Sequence, residues 1–236
     1  MSREYRRALL KVSGEALGGE RGHGLDRDKI GWIASEISQA VTYGCELGVV
    51  IGGGNILRGA DSASVGVPPV VGDQMGMVAT IINAMALGSA LVASGTRAVV
   101  MAAFPVGNFV ETFVRSKALA YLENGYVTVF GGGTGNPCFT TDSAAALRAV
   151  EIEAEVMVKA TQVPWVYDKD PKKYSDAKPF ETISPDEVLK RRLGVIDATC
   201  VEILGRRSIP VLIMDLHKEG NIRRAMAGEK VGTVIA

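Results

Sequence analysis

Cysteine and histidine are scarce in this 236-residue sequence. Cys45, Cys138 and Cys200 are scattered, no CxxC spacing occurs, and the only histidines are His23 and His217. These residues support neither a zinc site nor a disulfide framework, and a reducing compartment is expected. An excess of charge is also missing: 26 Lys and Arg balance 26 Asp and Glu. No basic stripe with interleaved aromatics is present, so a nucleic-acid partner is not expected. The P-loop pattern GxxxxGK[ST] occurs nowhere. GxGxxG also fails, because Leu57 follows Gly52 and Gly54 at the third glycine place, and Cys138 follows Gly133 and Gly135. The opening MSREYRRALLKVSG carries charges and no apolar run long enough for a signal peptide, which points to the cytoplasm. The most apolar stretch, 75–92, is broken by Thr80, Asn83, Gly88 and Ser89, so it reads as a buried helix and not as a membrane span.

What is abundant is glycine, 28 residues of it, and much of it is clustered. Apolar runs of strand length at 8–12, 47–51, 98–102, 126–130, 156–160, 210–214 and 232–235 alternate with helical patterns. Those patterns lie at 27–43, 75–94, 114–123, 143–154, 196–206 and 221–227. Ser184-Pro185-Asp186-Glu187 opens one more helix as a capping box with proline at the first position. Residues 164–183 lack periodicity and read as an exposed excursion. Continuous apolar strands alternating with helices imply an α/β fold: a three-layer αβα sandwich around a mainly parallel sheet. No linker or repeat divides the chain, so one domain is expected, with lobes at about 1–155 and 156–236.

Ligands of such sheets bind beyond the carboxyl ends of the strands. Gly14 follows the first strand, Gly52-Gly53-Gly54 the second and Gly131-Gly132-Gly133 the fourth. Glycine allows close approach of the backbone, and successive N–H groups form anion-binding concavities. Three such turns at one edge can cradle a polyphosphate. Lys11, inside an apolar strand, is costly to bury unless it is paired or faces a ligand. Arg58 follows the second glycine cluster closely enough to reach the same phosphates.

The segments LLKVSGEAL (9–17), VVIGGGNILRG (49–59), VGDQMGMVAT (71–80), GGGTGNPCFTTDSAA (131–145), KATQVPWVYDKDP (159–171) and GEKVGT (228–233) together resemble the bacterial UMP kinases of the amino-acid kinase superfamily. The resemblance runs nearly end to end, and TGNPxFTTD is its most specific part.

That resemblance implies phosphoryl transfer from ATP to UMP, with Mg²⁺ accompanying ATP. The implied ATP site comprises Lys11, Val12, Ser13, Gly14, Gly54, Arg58, Thr161, Tyr167 and Asp170, with Lys11 and Arg58 catalytic. The implied UMP site comprises Gly53, Asp73, Thr134, Gly135, Asn136, Pro137, Cys138, Phe139, Thr140 and Thr141. Asp73 suits the ribose hydroxyls, or it caps the following helix. Thr140 and Thr141 can donate to a phosphate, or they cap their own helix. Asp142 and Asp197 are expected to act from behind these groups or to organise a metal, and no protein side chain is assigned as a metal ligand. A homohexamer is also implied, as are GTP activation through 18–24, otherwise a loose glycine loop, and UTP inhibition. The chain departs from the family pattern at Val163-Pro164-Trp165, where Val-Asp-Gly is common, and at Leu57 and Cys138, where aromatics are common. The alternatives are a superfamily kinase acting on a carboxylate or carbamate, or a nucleotide-binding storage or sensor protein on the same fold.

Overall fold

The computed structural model describes residues 5–57, 66–171 and 173–236. Six strands form the body of one sheet: β1 (Arg7–Val12), β2 (Glu46–Ile51), β3 (Ala98–Ala102), β5 (Val127–Gly131), β6 (Val156–Thr161) and β10 (Val211–Asp215). Short strands β4 (Glu111–Thr112), β9 (Thr182–Ile183) and the last strand β11 (Gly232–Ile235) extend it to nine, in the order β4-β3-β5-β2-β1-β6-β10-β11-β9. Every pairing is parallel except β10 with β11. The centre of the sheet is buried on both faces, which is why β1 and β2 read as apolar runs without alternation.

The seven helices among the described residues are α1 (Arg27–Val41), α2 (Pro69–Ala93), α3 (Arg115–Glu123), α4 (Thr141–Glu151), α5 (Pro185–Lys190), α6 (Ala198–Gly205) and α7 (Asn221–Met226). Successive strand side chains point to opposite faces, so neighbours in β1 enter different cores. Leu10 joins Ile33 and Ile37 of α1, Leu87 and Leu91 of α2 and Ile222 of α7. Leu9 joins Leu122 of α3, Ala145 and Ala149 of α4 and Leu204 of α6. The result is the expected three layers.

Several boundaries differ from expectation. α2 begins at Pro69, not Met75, with proline in its first turn; Gly72 had disguised that start. α4 begins at Thr141, not Ser143, with Thr140 as its cap. The 164–183 excursion contains a hairpin, β7 (Val166–Tyr167) with β8 (Pro179–Phe180), before β9 joins the main sheet. The 18–24 segment is no loose loop: 3₁₀ turns across 14–21 are broken by a kink at Gly19 (φ 61°), Gly18 is buried, and the Gly24 N–H donates to Asn55 O at 2.7 Å. α2 is not buried all round either. Ala84, Leu87 and Leu91 pack on the sheet, whereas Val71, Met75, Val78, Ile82 and Met85 are exposed. Its length and composition alone would suit a membrane span, but its inner face is part of the sheet's cover.

Candidate active site

Parallel pairing brings the carboxyl ends of β1, β2, β5, β6 and β10 to one edge, and the glycine turns leave from there. The first two turns touch: a Cβ on Gly14 would stand 2.5 Å from Gly52 O, so only glycine permits this approach. The second turn is tied down by a buried amide pair. Asn83 of α2 donates to Gly52 O (2.7 Å) and Asn55 Oδ1 (2.6 Å), while Asn55 donates to Asn83 Oδ1 (3.1 Å) and Gly24 O (2.7 Å). Burial makes these bonds obligatory, because an unpaired amide there costs about 1–3 kcal/mol.

The electrostatic centre is a group of three. Lys11 of β1 and Lys159 of β6 are direct register partners, so their side chains leave the sheet side by side. Asp142, in the first turn of α4, pairs with both: Lys11 Nζ forms an ion pair with Oδ1 at 3.0 Å, and Lys159 Nζ donates to Oδ2. Only about a tenth of each side chain is exposed, and Lys159 also donates to Val195 O at 2.6 Å. Burial alone would raise the Asp142 pKa, but the Lys11 and Lys159 ammoniums override it and hold the carboxyl below its usual range. Burial lowers the Lys159 pKa, reinforced by Lys11 and opposed by Asp142. Two ammoniums thus share one carboxylate at an edge suited to an anion.

Lys159 was not among the residues expected from sequence, although VMVKAT carries the same signal as LLKV: a lysine inside an apolar strand. The signal for Asp142 was present, and its contacts give that signal a geometry. It pairs with both ammoniums and so acts on the site through them. A cleft of about 300 Å³ opens beside the centre, lined by Lys11, Ser13, Lys159, Thr161, Val195 and His217 among others.

The remaining ATP-side residues are less concentrated. The Val12 side chain belongs to the apolar core, leaving only its backbone available. Gly54 adjoins Glu15, a wall of the same cleft. Thr161 closes its own turn, donating to Val163 O at 2.7 Å and accepting from Val163 N at 3.2 Å, which steers the chain into Pro164-Trp165. Tyr167 lies in the β7–β8 hairpin, and Asp170 O accepts from Lys173 N and Tyr174 N in the next turn; neither lines the cleft. Arg58 lies outside the described residues.

The UMP-side residues cluster between α2 and the β5–α4 connection. Gly132, Gly133 and Gly135 have positive φ, and so does Cys138 (70°), a strained conformation for a residue with a side chain. Asp73 Oδ2 accepts from Cys138 N at 2.8 Å and stabilises that turn. Because α2 begins at Pro69, Asp73 lies inside the helix, past its first turn, and is not its cap. Thr80 Oγ1 accepts from Gly132 N at 2.7 Å, so α2 also holds the preceding glycine; Gly53, in the second glycine turn, packs against Gly76 and Ala79 of that helix. Thr134 Oγ1 bridges to Asn136 across the Gly135 turn, Pro137 follows, and Phe139 is exposed. Thr140 is the cap of α4: its hydroxyl accepts from Asp142 N and Ser143 N and donates its one proton to Asp197 Oδ2. Donation from Thr140 to a phosphate would require this hydroxyl to leave Asp197; Thr141, the first residue of α4, keeps its hydroxyl outside this network. Asp197 caps α6 through Cys200 N (2.7 Å) and accepts from Ser143 Oγ (3.1 Å), joining two helix starts.

Glycine turns on a parallel sheet edge, a buried Lys–Asp–Lys centre and an adjoining cleft define an α/β protein built to gather phosphate charge without a P-loop. The family model "Amino acid kinase family" matches residues 6–215, and the chain belongs to that family. The uridylate kinase of Bacteroides thetaiotaomicron is 44% identical over 232 residues, 98% of each chain. The crystal structure of UMP kinase from Bacillus anthracis superposes with a TM-score of 0.96 at 34% identity, over 99% of this chain and 96% of that one. The Ureaplasma parvum UMP kinase superposes at 0.93 with 31% identity over the whole of both chains.

Proposed function

We propose that the protein transfers the γ-phosphoryl group of ATP to UMP, giving ADP and UDP, as a uridylate kinase. The observation that carries this reading is the pair of ammoniums, Lys11 and Lys159, fixed side by side by Asp142 where the glycine turns converge. The nucleophile is an oxygen of the UMP phosphate, already anionic near neutral pH, so no general base is needed. Catalysis rests on in-line positioning and on stabilising charge on the transferring group. Lys11 and Lys159 supply that charge, and the backbone N–H groups of the glycine turns add to it. Arg58 is proposed to act with them.

ATP enters the cleft beside Lys159, with Ser13, Gly14, Gly54 and Thr161 around it. UMP lies on the α2 side, where Asp73 meets the ribose hydroxyls while still bracing the Cys138 turn. Donor and acceptor then belong mainly to the later and earlier parts of the chain, about 156–236 and 1–155. Among the described residues no three acidic, histidine or cysteine side chains converge as a metal site. Mg²⁺ would arrive on the ATP phosphates, where it neutralises their charge.

We also propose that the protein acts in the cytoplasm as a homohexamer, with GTP as activator and UTP as inhibitor. The apolar hollow formed by Ile56, Leu57, Val71, Met75, Val78 and Ile82 supports burial of the outer face of α2 between copies. A coupled ADP-release assay with UMP, CMP, dUMP, amino acids and no acceptor tests the reading. Release with UMP alone is expected; release driven by an amino acid would move the protein to the carboxylate kinases.

A further inference from the structure

Glu36 is a buried carboxylate that the mechanism above does not use. It lies on α1 between Ile33 and Ile37 on the core side of the helix and is 2% exposed. A carboxylate in such surroundings is costly unless a partner justifies it. Its partner is distant in sequence: Glu36 Oε2 accepts from Gly220 N at 2.9 Å. Burial raises the Glu36 pKa; the Gly220 N–H opposes this, Glu219 adds to it and Arg223 opposes it.

Gly220, in the left-handed conformation, ends the turn that leaves β10. Leu216 and His217 of that turn form one wall of the cleft beside Lys11 and Lys159. The start of the turn is held by Leu216 N donating to Thr161 O (2.9 Å) and His217 N to Asp215 Oδ1 (2.8 Å). Asn221 Nδ2 reaches back to Asp215 O (3.0 Å). Glu36 is the hold on the far end that comes from outside the turn, and it comes from a helix packed beneath the sheet.

We infer that Glu36 is a positioning residue for the ATP-side wall of the cleft, acting through the Gly220 N–H to hold the 216–220 turn against the bound nucleotide. The inference rests on the reading that the cleft takes ATP. Glu36→Met keeps the volume and removes the acceptor, whereas Glu36→Gln keeps a carbonyl acceptor. In steady-state assays of the full chain, Glu36→Met is expected to raise KM for ATP about fivefold while KM for UMP stays within about twofold. Glu36→Gln should remain within about twofold of the parent for both. A lower Tm in Glu36→Met with both KM values unchanged, or both raised equally, overturns the inference.

Amide exchange on the parent decides the matter if the Met variant does not fold. The Gly220 amide should be protected without nucleotide, and residues 216–220 should slow further with ATP but not with UMP. An unprotected Gly220 amide overturns the inference. So does a 216–220 segment that ignores ATP while residues 13–14 respond. If both segments ignore ATP while UMP-dependent ADP release persists, the placement of ATP has failed, and the inference built on it falls for that separate reason.

Discussion

The two sides of the catalytic edge are built differently. On the α2 side, one helix reaches up with Asp73, Thr80 and Asn83 and holds three backbone turns through Cys138 N, Gly132 N and Gly52 O. On the cleft side, polar side chains mostly close their own turns: Thr161 bonds Val163, and Asp215 bonds His217. The first design places several turns on one rigid element, so they move together or not at all. The second ties each turn mainly within itself, with a few cross-links such as Leu216 N to Thr161 O, which leaves room for Pro164-Trp165 where the family commonly has Asp-Gly. Between the two sides stands the Lys11–Asp142–Lys159 centre, which belongs to strands and a helix start rather than to loops.

The largest expected effect falls on that centre. Lys11→Ala should lower kcat by about 10²–10³-fold with an unchanged circular dichroism spectrum, the loss typical of a charge-stabilising donor. Near-normal turnover would remove Lys11 from the reaction. Asp142→Asn should lower kcat and also destabilise the fold by about 3 kcal/mol, because two buried ammoniums lose their counter-charge. Denaturant melts read the second effect, and an unchanged midpoint would show that the centre is better solvated than its burial implies.

Asp73→Asn sharpens the comparison between the sides. It should raise KM for UMP about tenfold and leave KM for ATP within about twofold. Equal shifts in both would reduce Asp73 to a brace for the Cys138 turn. A pH profile separates Lys159 from an ordinary lysine. Lys159 has a lowered pKa, so its ammonium is lost as pH rises through a value below the usual 10.5, and kcat should fall on that limb. Lys159→Arg should move the limb upward, since a guanidinium does not deprotonate in that range. The smallest effect is expected for Tyr167→Ala, less than about threefold on KM for ATP, because Tyr167 stands in the hairpin outside the cleft lining. A tenfold loss there would mean that the hairpin folds over the adenine.

Strand positions, the parallel sheet and the glycine edge were legible because each is written locally: apolar runs of strand length, helical periods between them, and glycines at strand ends. Lys11 was legible for the same reason, as a charge in an apolar run. The start of α2 was hidden, since the prolines and Gly72 read as loop, although proline is favoured in the first turn of a helix. That error made Asp73 look like a helix cap. Thr140 looked free to meet a phosphate because Asp197, which takes its proton, lies 57 positions away.

The sequence by itself determined the layered fold, the strand edge at which phosphate can gather, and through its family motifs the reaction to expect. Only the tertiary structure decided which lysines stand together, that Asp142 pairs with both, that Thr140 points its proton at Asp197, and that Glu36 reaches Gly220. The reason is physical. Burial and backbone geometry follow from short-range pattern, whereas ion pairs and hydrogen bonds between distant segments depend on register and helix placement. A shift of one residue in either would separate partners that now sit within 3 Å.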